Sequence, residues 1–191
     1  MSVAWPLAPE TVLRNYFRAK DENRPHLLAN VFTPDAKLEV INRASTIAFP
    51  ALTIGREAIA DVLVRRFGQS YENVYSFYME LPVPAAKSFT CDWLVVMSEK
   101  DGGNVRVGCG RYDWQFEGVA PPLAARLVIT IEAMQVLSPS ALERTFEWVQ
   151  QLSYPWSSAA AVTASAPHIE MLAPVLQYLT AVGGADPVRD R

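Results

Sequence analysis

The chain has 191 residues, of which 50% are hydrophobic and 19% are charged, and its formal net charge at pH 7 is -3. This composition fits one soluble globular domain and excludes a disordered chain, and the absence of excess positive charge argues against a nucleic-acid partner. Apolar runs such as residues 127–131 are far shorter than the roughly 20 residues that cross a bilayer, so no membrane partner is expected.

The sequence gives no indication of an export signal, a disulfide or a metal site. The sequence MSVAWPLAPET has neither a basic leader nor a long apolar segment, so a cytoplasmic location is expected. Cys91 and Cys109 fall in predicted strands, which favours buried hydrophobic side chains over a disulfide. Because the only histidines are His26 and His168, no Cys/His cluster has metal-site spacing, and neither a metal nor another cofactor is predicted.

The first third of the chain has mostly helical periodicity. A proline at the first helical position and apolar residues at helical spacing predict a helix over residues 9–20, and a short second helix follows over residues 26–32. A first strand is predicted at residues 37–41, followed by a loop rich in small residues at 42–53. A third helix with an apolar stripe is predicted to begin after Gly55.

From Val74 onward the period of the apolar residues changes to two, which predicts four strands in succession. They cover residues 75–81, 89–97, 106–117 and 126–137. The second and third are joined by residues 101–104, DGGN, a sequence typical of a β-hairpin turn. Strands grouped between helices in this way indicate an α+β fold with a mostly antiparallel sheet.

The C-terminal quarter is predicted to extend this domain. A helix that starts at Ser138 completes a domain of residues 1–152, and a Ser/Ala-rich extended linker follows at 153–166. Apolar residues at helical spacing predict an amphipathic helix at 167–183, and residues 184–191 are expected to form a frayed tail. The helix is expected to pack on its own domain or on a dimer partner, with a lid over the pocket as the alternative.

The strand over residues 106–117, RVGCGRYDWQFE, has two distinct faces. One is aromatic and includes Tyr112 and Trp114, whereas the other carries Arg111 and Asp113. A central strand of this kind usually separates an enclosed apolar space from a polar surface. We therefore expect the aromatic face to line a small-molecule pocket or, alternatively, to fill the core. The charged pair is expected on the outer face of the sheet, in a structural role.

Four short motifs occur in order along the chain: VLRNY at residues 12–16, FTPDA at 32–36, GREAI at 55–59 and GRYDW at 110–114. With these motifs the chain resembles the nuclear transport factor 2-like superfamily, specifically its SnoaL-like and ketosteroid-isomerase-like branch, over residues 9–152. The resemblance implies a cone-shaped, strongly bent sheet wrapped around three N-terminal helices, to which the C-terminal helix is an addition. It also implies a homodimer formed through the outer face of the sheet.

The same resemblance indicates that a catalytic group is missing. The general base of the steroid isomerases corresponds here to Val40, which follows Glu39. Their two oxyanion-hole donors correspond to Tyr16 and Tyr112. Two neutral phenols can donate hydrogen bonds to one oxygen, but without a base they cannot shuttle a proton.

Two other catalytic patterns of the superfamily find little support in this sequence. Dehydratases of the superfamily use histidine, but His26 and His168 are both expected at surface or capping positions. Epoxide hydrolases use an Arg-x-Asp pair, which Arg111 and Asp113 imitate. By alignment that pair belongs one strand earlier, around Asp92, where no arginine occurs.

The predicted function is binding of a small apolar or aromatic molecule that carries an oxygen, which Tyr16 and Tyr112 orient inside the cone. Its enzymatic form is a lyase, isomerase or polyketide-type cyclase, and the alternative is a non-catalytic ligand-binding or dimeric interaction domain. The other predicted pocket residues are mostly aromatic: Phe17, Phe32, Val40, Phe67, Phe89, Trp93, Trp114 and Phe116.

Overall fold

The computed structural model describes residues 9–118 and 122–184. Its helices are α1 (Pro9–Asp21), α2 (residues 56–70), α3 (Leu142–Gln150), α4 (Ala159–Ala164) and α5 (Ala173–Gly183). Its strands are β1 (Phe32–Asn42), β2 (Leu52–Ile54), β3 (Tyr71–Tyr78), β4 (Ser88–Glu99), β5 (Val105–Glu117) and β6 (Leu123–Leu137). None of the described helices is both long and apolar enough to cross a membrane. Of the predicted tail at 184–191, only Gly184 lies within the described residues.

The six strands form one curved, open sheet in the order β2-β1-β6-β5-β4-β3. β1 and β6 run parallel, and every other neighbouring pair is antiparallel. The hairpin predicted at residues 101–104 joins β4 to β5, where Gly102 and Gly103 adopt the positive φ angles of 78° and 68° that such a turn requires. A register shift next to Gly110 in β5 helps to bend the sheet around the helices.

The inner face of the sheet packs against α1 and α2. The apolar residues of α1 recur at helical spacing, so one side of the helix is buried against inward-facing residues of β5 such as Tyr112 and Trp114. As predicted, α2 begins after Gly55; it is α-helical over Arg56–Ala60 and Phe67–Ser70 and π-helical over Asp61–Arg66. This arrangement confirms the predicted α+β class, with helices inside a bent sheet.

A second apolar core lies on the outer face of the sheet, where α3, α4 and α5 cover it. Val107 and Cys109 of β5 face this core together with Leu94 of β4, and both cysteines of the chain are free and buried, as predicted. From the C-terminal segment, Leu172 and Leu179 are fully buried against them. The C-terminal helix therefore packs on its own domain, on the side of the sheet opposite α1.

The segment at residues 153–166 was predicted to be an extended linker, but the structure differs, since part of it forms the helix α4. Its Ser/Ala-rich sequence shows no apolar periodicity, but Ser158 caps the helix by accepting a hydrogen bond from a backbone N–H at 3.2 Å. Just before α4, Pro155 and Ser157 pair with the backbone of Tyr78, through hydrogen bonds of 2.8 and 3.0 Å. The segment thus covers the end of the edge strand β3.

The region before β2 differs from the prediction in two places. The short second helix is a 3-10 helix over Pro25–Asn30, and Phe32, predicted at its end, begins β1 instead. The strand accommodates Pro34 because its register with β6 shifts between Phe32 and Lys37. The loop predicted at 42–53 contributes the short edge strand β2.

Candidate functional site

A cavity of about 50 Å³ lies inside the cone, between α1, α2, the loop before β2 and the inner face of the sheet. Of the predicted site residues, five line it: Tyr16, Val40, Phe67, Trp93 and Tyr112. The residues that the sequence interpretation did not include are mostly aliphatic, with one charge among them: Lys20, Ile47, Phe49, Leu63, Val95, Met97, Ile129, Ile131 and Met134. Most of the wall is therefore apolar, and its polar atoms belong to a few side chains.

The other five predicted pocket residues are buried in the aromatic core and do not line this cavity: Phe17, Phe32, Phe89, Trp114 and Phe116. Trp114 stacks between Phe32 and Phe116, with ring centroids 5.9 and 6.0 Å away, and Phe17 packs 4.2 Å from Tyr78. This packing gives them a structural role, and their contact with a ligand stays a prediction.

Tyr16 of α1 and Tyr112 of β5 meet at the cavity, edge to face, with ring centroids 6.0 Å apart. Burial raises the pKa of both phenols well above the ordinary value, so each remains a neutral hydroxyl group. The two hydroxyls are close enough to influence each other's pKa, but Tyr16 Oη has no hydrogen-bond partner with acceptable geometry among the described residues. The Tyr16 hydroxyl is therefore enclosed by protein atoms beside Tyr112.

Trp93 of β4 lines the cavity with its ring. Its ring stacks on Tyr112 with centroids 5.5 Å apart, and its buried Nε1 has no hydrogen-bond partner within the described part of the chain. Trp93 lies directly opposite Gly110 in the sheet, and a Cβ atom at Gly110 would stand only 2.8 Å from the indole ring. The same Cβ atom would clash even more closely with the Thr130 carbonyl oxygen, so glycine is required at this position.

Lys20 and Asp21 form a buried ion pair at the end of α1. Lys20 Nζ is 3.0 Å from Asp21 Oδ1 and donates to Ser76 Oγ at 2.6 Å. Asp21 also accepts hydrogen bonds from Ser76 N at 2.8 Å, from Ser76 Oγ at 2.9 Å and from Tyr154 Oη at 2.8 Å. Only 8% of the Lys20 side chain and 2% of that of Asp21 are exposed. Strand β3 and the C-terminal segment thus hold an ammonium group at the cavity wall.

Sequence periodicity offered one signal for Lys20 that the sequence interpretation did not use. Lys20 follows Tyr16 by four residues, so both lie on the same face of α1. No comparable signal marks Ile47 and Phe49, which lie in the irregular loop before β2 and line the cavity on the side of that loop.

The described cavity wall contains no carboxylate and no imidazole that could act as a general base. Val40, which the resemblance predicts at the position of the steroid isomerases' base, lines the cavity. The carboxylate of Asp21, next to Lys20, already accepts hydrogen bonds from Ser76 and Tyr154. His26 and His168 are exposed and do not line the cavity.

The cavity adjoins a surface depression of about 240 Å³, with which it shares Ile47, Phe49 and Phe67. Phe49 is half-buried and Phe67 is buried, so these side chains form the thin wall between the cavity and solvent. The loop that carries Ile47 is held by Asn42, whose Nδ2 donates to the Ile47 carbonyl at 2.6 Å.

Arg111 and Asp113 lie on the outer face of the sheet, where Arg111 Nε is 3.6 Å from Asp113 Oδ2. Thr90 Oγ1 donates to Asp113 Oδ1 at 2.8 Å from the neighbouring strand. Because the Arg111 side chain is 54% exposed, this pair contributes little to stability. It is a structural pair, as expected from the alternation of β5, and it does not line the cavity.

Comparison with known proteins identifies relatives by structure alone. No protein-family profile and no curated protein sequence matches the chain. A crystal structure of LinA matches with a TM-score of 0.53 at 14% identity, over 66% of this chain and 84% of LinA. A proposed isomerase from Rhodopseudomonas palustris matches with a TM-score of 0.52 at 13% identity, over 63% of this chain and 86% of that protein.

A type 2 hexachlorocyclohexane dehydrochlorinase (LinA) also matches, with a TM-score of 0.50 at 15% identity, over 66% of this chain and 84% of that enzyme. Identities at this level establish a shared fold, whereas chemistry has to be argued from the site itself.

Proposed function

Starting from the nuclear transport factor 2-like fold of this chain, we propose that the cavity binds a small, mostly apolar molecule through one oxygen-bearing group. Tyr16 and Tyr112 orient the oxygen, and the aliphatic and aromatic wall accepts the rest of the molecule. The small volume of the cavity, about 50 Å³, restricts the closed state to a molecule of few atoms. A larger molecule requires the loop with Ile47 and Phe49 to move away from α2.

The observation that carries this proposal is the meeting of two phenol side chains, those of Tyr16 and Tyr112, at the wall of an apolar cavity. A buried hydroxyl without a hydrogen-bond partner is unfavourable by about 1–3 kcal/mol, and such groups are rare in folded proteins. The Tyr16 side chain lines the cavity, and its hydroxyl, which protein atoms enclose, has no partner among the described residues. An oxygen atom of a bound molecule would satisfy this donor and that of Tyr112 together.

A binding role is better supported than an isomerase, lyase or cyclase role. Proton transfer requires a base within reach of the ligand, and the described cavity wall offers valine at the expected position. The dehydrochlorinase and isomerase relatives share the fold at identities of 13–15%, which does not extend their reactions to this chain. In this proposal the two phenols donate hydrogen bonds to a ligand that the protein binds and releases without a chemical reaction.

The proposal includes a homodimer formed through the part of the outer sheet face that the C-terminal segment leaves uncovered. Ile41 is 50% exposed there, and Leu52 and Ile54 of the adjoining edge strand are 54% and 59% exposed. Leu52 and Ile54 pair with Glu39 and Lys37, so this apolar patch is bordered by charges. Analytical ultracentrifugation tests it: Ile41→Glu should convert a dimer to a monomer, and a monomeric wild-type protein would contradict the proposal.

The predicted cytoplasmic location remains a prediction.

Butanone is a suitable probe of the cavity, because it has one carbonyl oxygen and five heavy atoms. Binding is measured by NMR titration of the full chain, with Val95→Phe as the variant that fills the cavity. Wild-type protein should bind butanone and Val95→Phe should not. Removal of one hydroxyl in Tyr16→Phe or Tyr112→Phe should weaken binding about 5-fold, the equivalent of about 1 kcal/mol for one hydrogen bond. Equal affinity in the wild-type and both Phe variants would disprove the role of the phenols.

A further inference from the structure

Building on the proposed function, we infer that Arg106 is a positioning residue that keeps a lid closed over the cavity and thereby selects small ligands. The lid is the loop of residues 43–51, which supplies Ile47 and Phe49 to the cavity wall. The same two side chains border the surface depression beside the cavity. Moving them outward would join the cavity and the depression into one larger site.

The middle of the lid has few bonds to the rest of the protein. Its two ends are fixed to the sheet by backbone hydrogen bonds of 3.0 Å at Arg43 and at Ala51. Between these ends, no backbone–backbone hydrogen bond joins residues 44–50 to another described residue. Segments with few backbone hydrogen bonds open locally at a low free-energy cost. The side-chain hydrogen bonds of the lid therefore determine how often it opens.

Three hydrogen bonds that involve side chains hold Thr46 and Ile47, at the centre of the lid. Arg106 Nη1 donates to the Thr46 carbonyl at 2.5 Å, and Thr46 Oγ1 donates to the Met134 carbonyl at 2.5 Å. Asn42 Nδ2 donates to the Ile47 carbonyl at 2.6 Å. Of the three, only the bond from Arg106 has a charged donor, and charge-assisted hydrogen bonds are about twice as strong as neutral ones. Arg106 therefore makes the strongest of these three contacts.

The sheet holds Arg106 in place at the rim of the cavity. Arg106 lies directly opposite Met97, a cavity-lining residue, so both are on the inner face. Its Nε donates to Glu99 Oε1 at 2.6 Å, and Asn104 donates to the other carboxylate oxygen at 2.8 Å. Only 14% of the Arg106 side chain and 17% of that of Glu99 are exposed, so solvent screens this pair less than a surface pair. The guanidinium group is thus oriented independently of the lid.

A lid held in this way selects ligands by size. The closed cavity of about 50 Å³ admits a molecule of few atoms, whereas a longer molecule has to extend into the depression. The longer molecule binds only the open state, so its apparent affinity is reduced by the fraction of protein that is open. By keeping this fraction small, Arg106 favours short ligands over long ones that carry the same oxygen-bearing group.

Opening of the lid is measured without a ligand, by the labelling of a cysteine in the cavity wall. Val95→Cys places a thiol there, which methyl methanethiosulfonate should reach only when the lid is open. Adding Arg106→Met should raise the labelling rate about 10-fold, because one charge-assisted hydrogen bond is lost. Arg106→Lys keeps the charge and a donor, so it should raise the rate by less. Arg43→Met removes an exposed ion pair at the end of the same loop and, as the matched control, should leave the rate unchanged.

Cys91 and Cys109 distinguish opening of the lid from unfolding of the protein. Both are free and buried, so they react only when the fold itself opens. Faster labelling at position 95 alone would support the inference. An unchanged rate in Arg106→Met would overturn it, and so would equally accelerated labelling of all three cysteines, which would give Arg106 a role in the stability of the whole fold.

NMR titration with butanone and octan-2-one tests the size selection, with Val95→Phe as the control for binding outside the cavity. Arg106→Met should raise the affinity for octan-2-one about 10-fold and change that for butanone by less than about 2-fold. An equal change for both ketones would overturn the selection by size. If neither ketone binds to the wild-type protein or the variant, the proposed function and the size selection are both wrong, whereas the labelling experiment still decides whether Arg106 holds the lid.

Discussion

Replacing Lys20 with methionine tests whether the buried ion pair is as important to the fold as its geometry indicates. The substitution keeps the length of the side chain and removes the ammonium group, which leaves the carboxylate of Asp21 buried without its cation. Removal of one partner from a buried pair costs about 3–5 kcal/mol. Asp21 keeps its hydrogen bonds from Ser76 and Tyr154, so we expect the lower end of this range, about 3 kcal/mol.

For a protein of this size each kcal/mol lowers the Tm by about 2–4 °C, so Lys20→Met should melt about 6–12 °C below the wild-type protein. Urea unfolding followed by tryptophan fluorescence gives the corresponding free energy of unfolding. Lys20→Met/Asp21→Asn should recover most of the loss, because the neutral amide leaves no buried charge. Lys87→Met, at an exposed lysine, is the matched control and should change the free energy by less than about 0.5 kcal/mol.

Two results would refute this reasoning. A loss of less than about 1 kcal/mol for Lys20→Met would mean that the Asp21 carboxylate is reached by water or is satisfied by its other donors. A double variant less stable than Lys20→Met would mean that the ammonium contributes through packing and hydrogen bonding to Ser76 rather than through its charge.

Three further predictions concern the sheet. Gly110→Ala should lower the free energy of unfolding in urea by about 1–3 kcal/mol or more, since the added Cβ meets backbone as well as an indole ring. At Gly108 the added Cβ meets mainly a flexible methionine, so Gly108→Ala should lower it by less. Burial raises the pKa of the Cys109 thiol to about 12 and that of the Cys91 thiol further. Iodoacetamide at pH 8 should therefore label neither cysteine in the folded protein and both cysteines in urea. Labelling of the folded protein would contradict the prediction. Burial also raises the pKa of Asp92 in the folded protein. Its contribution to the free energy of unfolding is therefore full below the unfolded pKa of about 4 and is lost as the pH rises through the pKa of the folded state. Asp92→Asn should remove this part of the pH dependence of stability, and an unchanged pH profile in the variant would disprove the prediction.

The elements with regular periodicity could be predicted from the sequence because local patterns determine them. The alternation in β5 correctly assigns Tyr112 to the inner face and Arg111 to the outer face. Helix α1 follows in the same way from its apolar spacing. The α+β order, and with it the resemblance to the superfamily, depends only on such local patterns.

The composition of the cavity wall could be predicted only in part, because it depends on residues that are distant in sequence. Lys20 at the end of a helix would ordinarily extend into solvent, and only its contact with Ser76 on β3 explains its burial. Ile47 and Phe49 lie in a loop without periodicity. Trp114 and its neighbours were expected at the pocket because they alternate inward, but alternation cannot distinguish a cavity wall from a filled core.

The C-terminal cover of the outer sheet face also determines when the protein can finish folding during its synthesis. Val107 and Cys109 leave the ribosome long before Leu172 and Leu179, their neighbours in the second core. The growing chain therefore holds a nearly complete cone with one apolar side open to water until Leu172 and Leu179 have been synthesised. During this interval the nascent protein is most prone to aggregate and to bind chaperones.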